Sequence, residues 1–124
     1  MMNDKISPEA QKSFIQIQQM QKQLQNIEMQ RQNLNYQKIE MDKALEEVQK
    51  CSDSDEMFKI VGPVMIKSPK DKLEEELKDT QEKIDSNLKL LEDSGKKIEE
   101  KMENDQKKLQ EMLQGDNNPA TKAG

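Results

Sequence analysis

The chain has 124 residues, a formal net charge of −5, one cysteine and no histidine. The absence of histidine excludes imidazole bases and His-ligated metals, and a single cysteine excludes both an internal disulfide and a thiolate zinc site. The four glycines form no phosphate-binding loop, no apolar run is long enough to cross a membrane, and no secretory signal is visible. We therefore expect no enzyme activity and no cofactor.

The first predicted element is a helix over residues 8–49, preceded by a polar segment, 1–7. Ser7 is a good helix cap, Pro8 suits the first helical turn, and Glu9 favours the positive end of the helix dipole. Positions spaced alternately three and four residues apart form a coiled-coil seam. Two of them are basic, Arg31 and Lys38, and either fix the register or extend to solvent; we favour the second. The seam positions are Ile17, Met20, Leu24, Ile27, Arg31, Leu34, Lys38, Met41, Leu45 and Val48.

A β-hairpin is predicted over residues 57–68, after a polar connector, 50–55. Apolar residues that favour strands run up to Gly62-Pro63 and resume after it. Gly62 can supply the positive φ that a two-residue hairpin turn needs, and Pro63 fixes the next φ. This turn pairs Val61 with Val64, Lys59 with Ile66 and Phe58 with Lys67. Since an isolated hairpin is marginally stable in water, we expect it to associate with strands of other chains.

The second predicted helix covers residues 69–114, with Ser68 as its cap, Pro69 as its first residue and Gly115 as its end. A polar tail, 115–124, follows. Gly95 lies in the seam and should weaken the helix by roughly 1 kcal/mol relative to alanine. The seam positions are Leu77, Gln81, Ile84, Leu88, Leu91, Gly95, Ile98, Met102, Asp105, Leu109 and Met112.

Two helices of matched length with a short connection should fold back on each other. The predicted fold class is mainly α: one domain, 1–124, formed by a long antiparallel two-helix coiled coil with one β-hairpin at the connecting end. Leu, Ile, Val and Phe number only 24, about 19% of the chain, which argues against a globular core. The whole net charge of −5 arises in residues 73–124, and with one Tyr and two Phe the chain offers no surface for nucleic acid.

Two sets of apolar residues are candidate binding sites. The hairpin set has no burial site within one chain and is the candidate for oligomerisation: Phe58, Ile60, Val61, Val64, Met65 and Ile66. The second set gathers where the helices should have their free ends: Phe14, Ile15, Ile17, Met20, Met102, Leu109, Met112 and Leu113. It forms either an ordinary frayed coiled-coil end or a client-binding surface for apolar polypeptide segments.

The hairpin string Phe58-Lys59-Ile60-Val61-Gly62-Pro63-Val64-Met65-Ile66-Lys67, between two helices of equal length, resembles the β-type subunit of prefoldin. The Gly-Pro-Val sequence is most similar to the eukaryotic prefoldin subunit 6 type, with the archaeal β subunit second; Ser68-Pro69 departs from the subunit 6 pattern. The resemblance covers roughly residues 8–114.

The resemblance implies a cytoplasmic heterohexamer of two α-type and four β-type prefoldin subunits, whose hairpins form a β-barrel platform. Such complexes hold unfolded clients such as actin and tubulin and deliver them to a cytosolic chaperonin without ATP. The candidate client-binding set is interpreted in that light. The alternative is a structural coiled-coil adaptor that holds no client.

Overall fold

The computed structural model describes residues 6–117, so the predictions for the first five residues and for 118–124 lie outside it. The elements are α1 (Pro8–Lys50), β1 (Phe58–Val61), β2 (Val64–Lys67) and α2 (Lys70–Asn117). This is the predicted fold, with two long helices and one antiparallel hairpin between them. Contacts divide the chain into two compact units. We call Gln30–Leu91 the hairpin unit, and Met1–Met29 with Glu92–Gly124 the terminal unit.

The start of α1 is capped by Ser7, as predicted. The Ser7 carbonyl accepts the backbone N–H of Gln11 at 3.0 Å. The Ser7 Oγ accepts the backbone N–H of Ala10, also at 3.0 Å. The first bond is the first intrahelical bond of α1, and the second satisfies an N–H group that a helix start leaves without an intrahelical partner.

The hairpin has the predicted register. Phe58 pairs with Lys67, Lys59 with Ile66, Ile60 with Met65 and Val61 with Val64. Gly62 has a φ of 58°, in the left-handed region where a side chain would be strained. Because Pro63 holds the next φ negative, this is the combination expected of a type II′ turn, whose twist matches that of the two strands.

The start of α2 differs from the prediction. Ser68 does not cap the helix, because its backbone N–H donates to the Met57 carbonyl at 2.9 Å and so continues the hairpin ladder by one residue. Its buried Oγ has no hydrogen-bond partner among the described residues. Pro69 is not the first helical residue; its carbonyl accepts the N–H of Leu73 at 3.1 Å, and α2 begins at Lys70. The hairpin ladder therefore extends to Ser68, and α2 begins two residues after it.

The end of α2 also differs. The helix continues through Gly115 to Asn117. One glycine costs a helix about 1 kcal/mol, which is too little to end it where the preceding side chains are packed. Met112 and Leu113, just before this glycine, are both half-buried.

The predicted coiled-coil seam is confirmed by burial in both units. Every seam position of α1 and α2 is buried or half-buried. In the terminal unit, Ile17, Met20 and Gly95 are buried, and in the hairpin unit Ile84 is. Ala10 and Leu73, which the prediction omitted, are also buried and extend the seam.

Neither helix contains, within residues 6–117, an apolar stretch that could span a bilayer.

Two polar pairs link the helices in the hairpin unit. Lys38 Nζ donates to Asp85 Oδ1, and Gln81 Nε2 donates to Asp42 Oδ1, both at 2.7 Å. Lys38 therefore pairs across the seam with Asp85, as the register-fixing alternative requires, while its side chain stays 41% exposed. A slip of one residue would break both bonds and move the apolar seam, so the pairs favour this antiparallel register.

Asp85→Asn is expected to destabilise the chain, and the loss should depend on pH and salt. The hydrogen bond and charge of Asp85 raise the pKa of Lys38 above its ordinary value of 10.5. A raised pKa in the folded state means that the stabilisation is complete below about pH 10.5 and disappears as the pH rises through the folded value. Urea unfolding of both variants should show a constant difference from pH 7 to 10 that shrinks above pH 10.5 and in 1 M salt. A difference unchanged by both would mean that charge is not its source.

Gly95→Ala is expected to stabilise the chain by about 1 kcal/mol. Gly95 is buried, and a β-carbon built there would lie 3.8 Å from Ile27 Cγ2, an ordinary van der Waals contact. Alanine should therefore add helix propensity and packing without a clash. Thermal unfolding followed by circular dichroism should show a higher Tm with unchanged oligomer mass. A lower Tm would show that the seam is too tight at this position for a methyl group.

Candidate functional site

The first candidate site is the hairpin surface, formed by the six apolar side chains predicted for oligomerisation. All six are exposed, from 44% for Ile66 to 77% for Ile60. Strands of four residues cannot bury such side chains against each other, since alternate residues point to opposite faces of the sheet. The hairpin surface is therefore an apolar area that one chain leaves in contact with water. Its members are Phe58, Ile60, Val61, Val64, Met65 and Ile66.

The two lysines of the hairpin are paired within the chain. Lys59 Nζ lies 3.0 and 3.2 Å from the two carboxylate oxygens of Glu76, on α2. Lys67 Nζ lies 3.4 Å from Glu56 Oε1. Because residues 58–67 contain no other charged residue, the strands present backbone edges and apolar side chains with their positive charge compensated. Such a surface suits association with another apolar strand.

The base of the hairpin is held by Lys70, which the sequence analysis did not identify. Its Nζ donates to the carbonyls of Cys51 at 2.7 Å and Gln49 at 3.3 Å. These carbonyls lie at the C-terminal end of α1, where the helix dipole favours a cation. Lys70 therefore ties the first turn of α2 to the end of α1. The sequence gives one signal for this contact: a lysine at the start of a helix that follows a chain reversal.

The second candidate site is an apolar groove in the terminal unit, which we call the terminal groove. It has a volume of about 490 Å³ and lies between the first turns of α1 and the last turns of α2. Phe14 and Ile15 are each 53% exposed, while Leu109 and Leu113 are half-buried. Among the described lining residues, Gln11 is the one polar side chain. Its lining residues are Ile6, Ala10, Gln11, Phe14, Ile15, Leu109 and Leu113.

The structure brings half of the predicted client-binding set to this groove. Phe14, Ile15, Leu109 and Leu113 line it, whereas Ile17 and Met20 are buried in the seam. Met102 and Met112 are half-buried and lie outside the groove lining.

Two apolar lining residues were missed by the sequence analysis. Ile6 belongs to residues 1–7, which were predicted to form a polar segment. Ala10 is small, although its spacing of seven residues from Ile17 places it on the seam and would have been a usable signal.

Both sites offer surfaces for non-covalent contact. The hairpin surface offers strand edges and aliphatic side chains, and the terminal groove offers aliphatic and aromatic side chains. Within the described range, no group of three or more His, Cys, Asp or Glu side chains is placed to hold a metal ion.

Comparison with known protein families matches residues 11–116 to the prefoldin subunit model. The prefoldin subunit beta of Sulfolobus acidocaldarius is 30% identical over 78 residues, which is 63% of this chain and 62% of the relative. That of Sulfurisphaera tokodaii is 28% identical over 81 residues, 65% of each chain. The matched stretch therefore spans less than two thirds of either relative's length. Since both relatives are archaeal, the eukaryotic subunit 6 type stays a prediction.

Two solved structures are similar to this fold. The prefoldin beta subunit from Thermococcus strain KS-1 superposes with a TM-score of 0.80 and 33% identity, covering 87% of this chain and 95% of the other. The beta2 subunit of the same strain gives a TM-score of 0.64 over 73% of this chain and 96% of that one, and at 18% identity it supports the fold alone. With the family match over most of its length, the chain belongs to the prefoldin subunit family and is of the β type.

Proposed function

We propose that this chain is a subunit of a hexameric, ATP-independent chaperone that holds unfolded polypeptides and delivers them to a cytosolic chaperonin. The observation that carries this proposal is the presence of two separate apolar surfaces, the hairpin surface and the terminal groove, in a chain that is 36% charged. One surface suits assembly and the other suits capture. The partners are other α- and β-type prefoldin subunits, and the clients are unfolded chains such as actin and tubulin.

The hairpin surface supports assembly on energetic grounds. Complete burial of an aliphatic or aromatic side chain contributes about 1.5–3 kcal/mol. Six half-exposed side chains therefore make on the order of 10 kcal/mol available, and this is realised only when other strands cover them. Edge pairing would also satisfy the outer N–H and C=O groups of β1 and β2.

The terminal groove supports holding. At about 490 Å³ it is large enough for a few apolar side chains of an extended segment, and Gln11 adds an amide to its lining. Binding to one such groove is expected to be weak. Several subunits presented by one platform would raise the overall affinity through effective concentration, without any new contact. Weak, multiple contacts also allow a client to be released without nucleotide hydrolysis.

Co-expression with an α-type prefoldin subunit, purification and native mass determination test this assembly. We expect a six-chain complex with four copies of this chain. A mass corresponding to the free chain or to a two-chain complex would contradict the proposal and favour a structural coiled-coil adaptor.

A further inference from the structure

A row of uncharged amide side chains runs along α1. Seven consecutive positions, spaced alternately three and four residues apart, are all Gln or Asn, and all seven are exposed. The row is bounded by Lys12 on one side and Glu40 on the other. Residues with this spacing share one face of a helix. The row consists of Gln16, Gln19, Gln23, Asn26, Gln30, Asn33 and Gln37.

In the hairpin unit two residues of this row, Gln30 and Asn33, line a groove that we call the carboxamide groove. Its volume is about 430 Å³. Leu34 and Leu91 are half-buried and Leu90 is 64% exposed, so the groove has an apolar floor between amide side chains. It is lined by Gln30, Asn33, Leu34, Asn87, Leu90 and Leu91.

The lining of the carboxamide groove carries no charge among the described residues, although 36% of the chain is charged. A second cavity of the same unit shows the contrast. It has about 520 Å³ and is lined by Asp79, Glu82, Lys83, Ser86 and Asn87, three of them charged. An uncharged groove does not repel acidic or basic segments and does not select between them. Its occupant must be recognised by hydrogen bonds and apolar contacts.

We propose that the carboxamide groove is a second client-contacting surface, an inference that rests on the proposed function. The groove binds extended unfolded polypeptide through the main-chain amides of that polypeptide. A carboxamide both donates and accepts hydrogen bonds, as a peptide group does, so it can pair with any backbone whatever its side chains. The leucine floor accepts the apolar side chains that unfolded chains expose. A folded protein has its backbone groups paired internally and offers few of them, so the surface distinguishes unfolded from folded chains.

A photo-crosslinking experiment tests the contact directly. A photoreactive residue replaces Asn33 in the assembled complex, and the control replaces Ser86, in the charged cavity. The probe is a protein kept unfolded by reduction and carboxymethylation, compared with its folded, disulfide-intact form. We expect Asn33 to cross-link the unfolded probe several-fold more than Ser86 does, and to cross-link the folded form no more than Ser86 does. Client cross-linking at Asn33 no higher than at Ser86, or cross-linking only to a neighbouring subunit, would overturn the proposal.

A charge-introducing pair of variants gives the second measurement. Gln30→Glu with Asn33→Asp places two carboxylates in the groove, and Gln32→Glu with Asn35→Asp makes the same change at exposed positions of α1 outside it. Anisotropy titration with the labelled unfolded probe should show a several-fold higher Kd for the groove pair and an unchanged Kd for the control pair. Equal effects of the two pairs would contradict a specific groove.

The two proposals fail in different ways. Cross-linking from Asn33 without suppression of aggregation would uphold the groove and overturn the holding function. Suppression of aggregation, with cross-linking at Asn33 no higher than at Ser86, would uphold the holding function and overturn the groove.

Discussion

Val61→Asp is expected to exclude the chain from the oligomer while leaving both helices formed. Val61 is the last residue of β1, is 51% exposed and lies directly opposite Val64. In the assembly it would be covered by other strands, and an unpaired carboxylate buried there costs several kcal/mol. That is a large part of the roughly 10 kcal/mol assigned to the whole hairpin surface. Native mass determination and far-ultraviolet circular dichroism measure the two outcomes.

Ser86→Asp is the matched control for this variant. It adds the same charge at an exposed position of α2, outside the hairpin surface. It should assemble as the unmodified chain does. An unchanged oligomer mass for Val61→Asp would contradict the role of the hairpin surface in assembly. Lost helicity would mean that the hairpin also holds the helices together.

The second large effect is expected from the terminal groove. Phe14→Ser, Ile15→Ser and Leu113→Ser together should leave oligomer mass and helicity intact but remove most of the suppression of client aggregation. The three side chains line one groove, in which Phe14 and Ile15 are each 53% exposed. Because contacts from several subunits combine, weakening each of them lowers the overall affinity steeply. Light scattering of an unfolded client, with increasing amounts of complex, measures the effect.

Met29→Ser with Ile39→Ser is the control for general loss of exposed apolar surface. These side chains are 63% and 50% exposed, and neither lines the terminal groove. Their replacement should leave suppression nearly unchanged. Full suppression by the triple variant in an intact oligomer would show that clients bind elsewhere, with the carboxamide groove as the next surface to test.

The hairpin and the seam were predictable because local chemistry decides them. Gly62-Pro63 leaves one turn that suits the twist of the flanking strands, and a turn of fixed length fixes the register. The seam follows from spacing alone, and even its polar members, Lys38 and Gln81, lie where the spacing placed them.

Features that depend on partners distant in sequence were not predictable. Ser68 has the local signature of a cap, but the ladder bond to Met57 overrides it. Lys38 could be placed on the seam, yet its bond to Asp85, 47 residues away in sequence, depends on how the two helices align. In the terminal groove, the prediction found Phe14, Ile15, Leu109 and Leu113 but missed Ile6, which lies in the segment before α1, and Ala10, since a small residue adds little to an apolar pattern. Lys70, with its two carbonyl acceptors, was missed because its partners lie across the chain reversal.

The measurement that tests the central claim most directly is suppression of aggregation by the purified complex without nucleotide. A chemically unfolded protein is diluted into buffer with increasing amounts of the assembled complex, and light scattering is followed. The account predicts that scattering falls in proportion to the complex added, reaches its minimum near stoichiometric amounts, and is the same with and without ATP. Scattering that remains at the level of the client alone, at an excess of intact complex, would contradict the holding function and leave a structural coiled-coil protein.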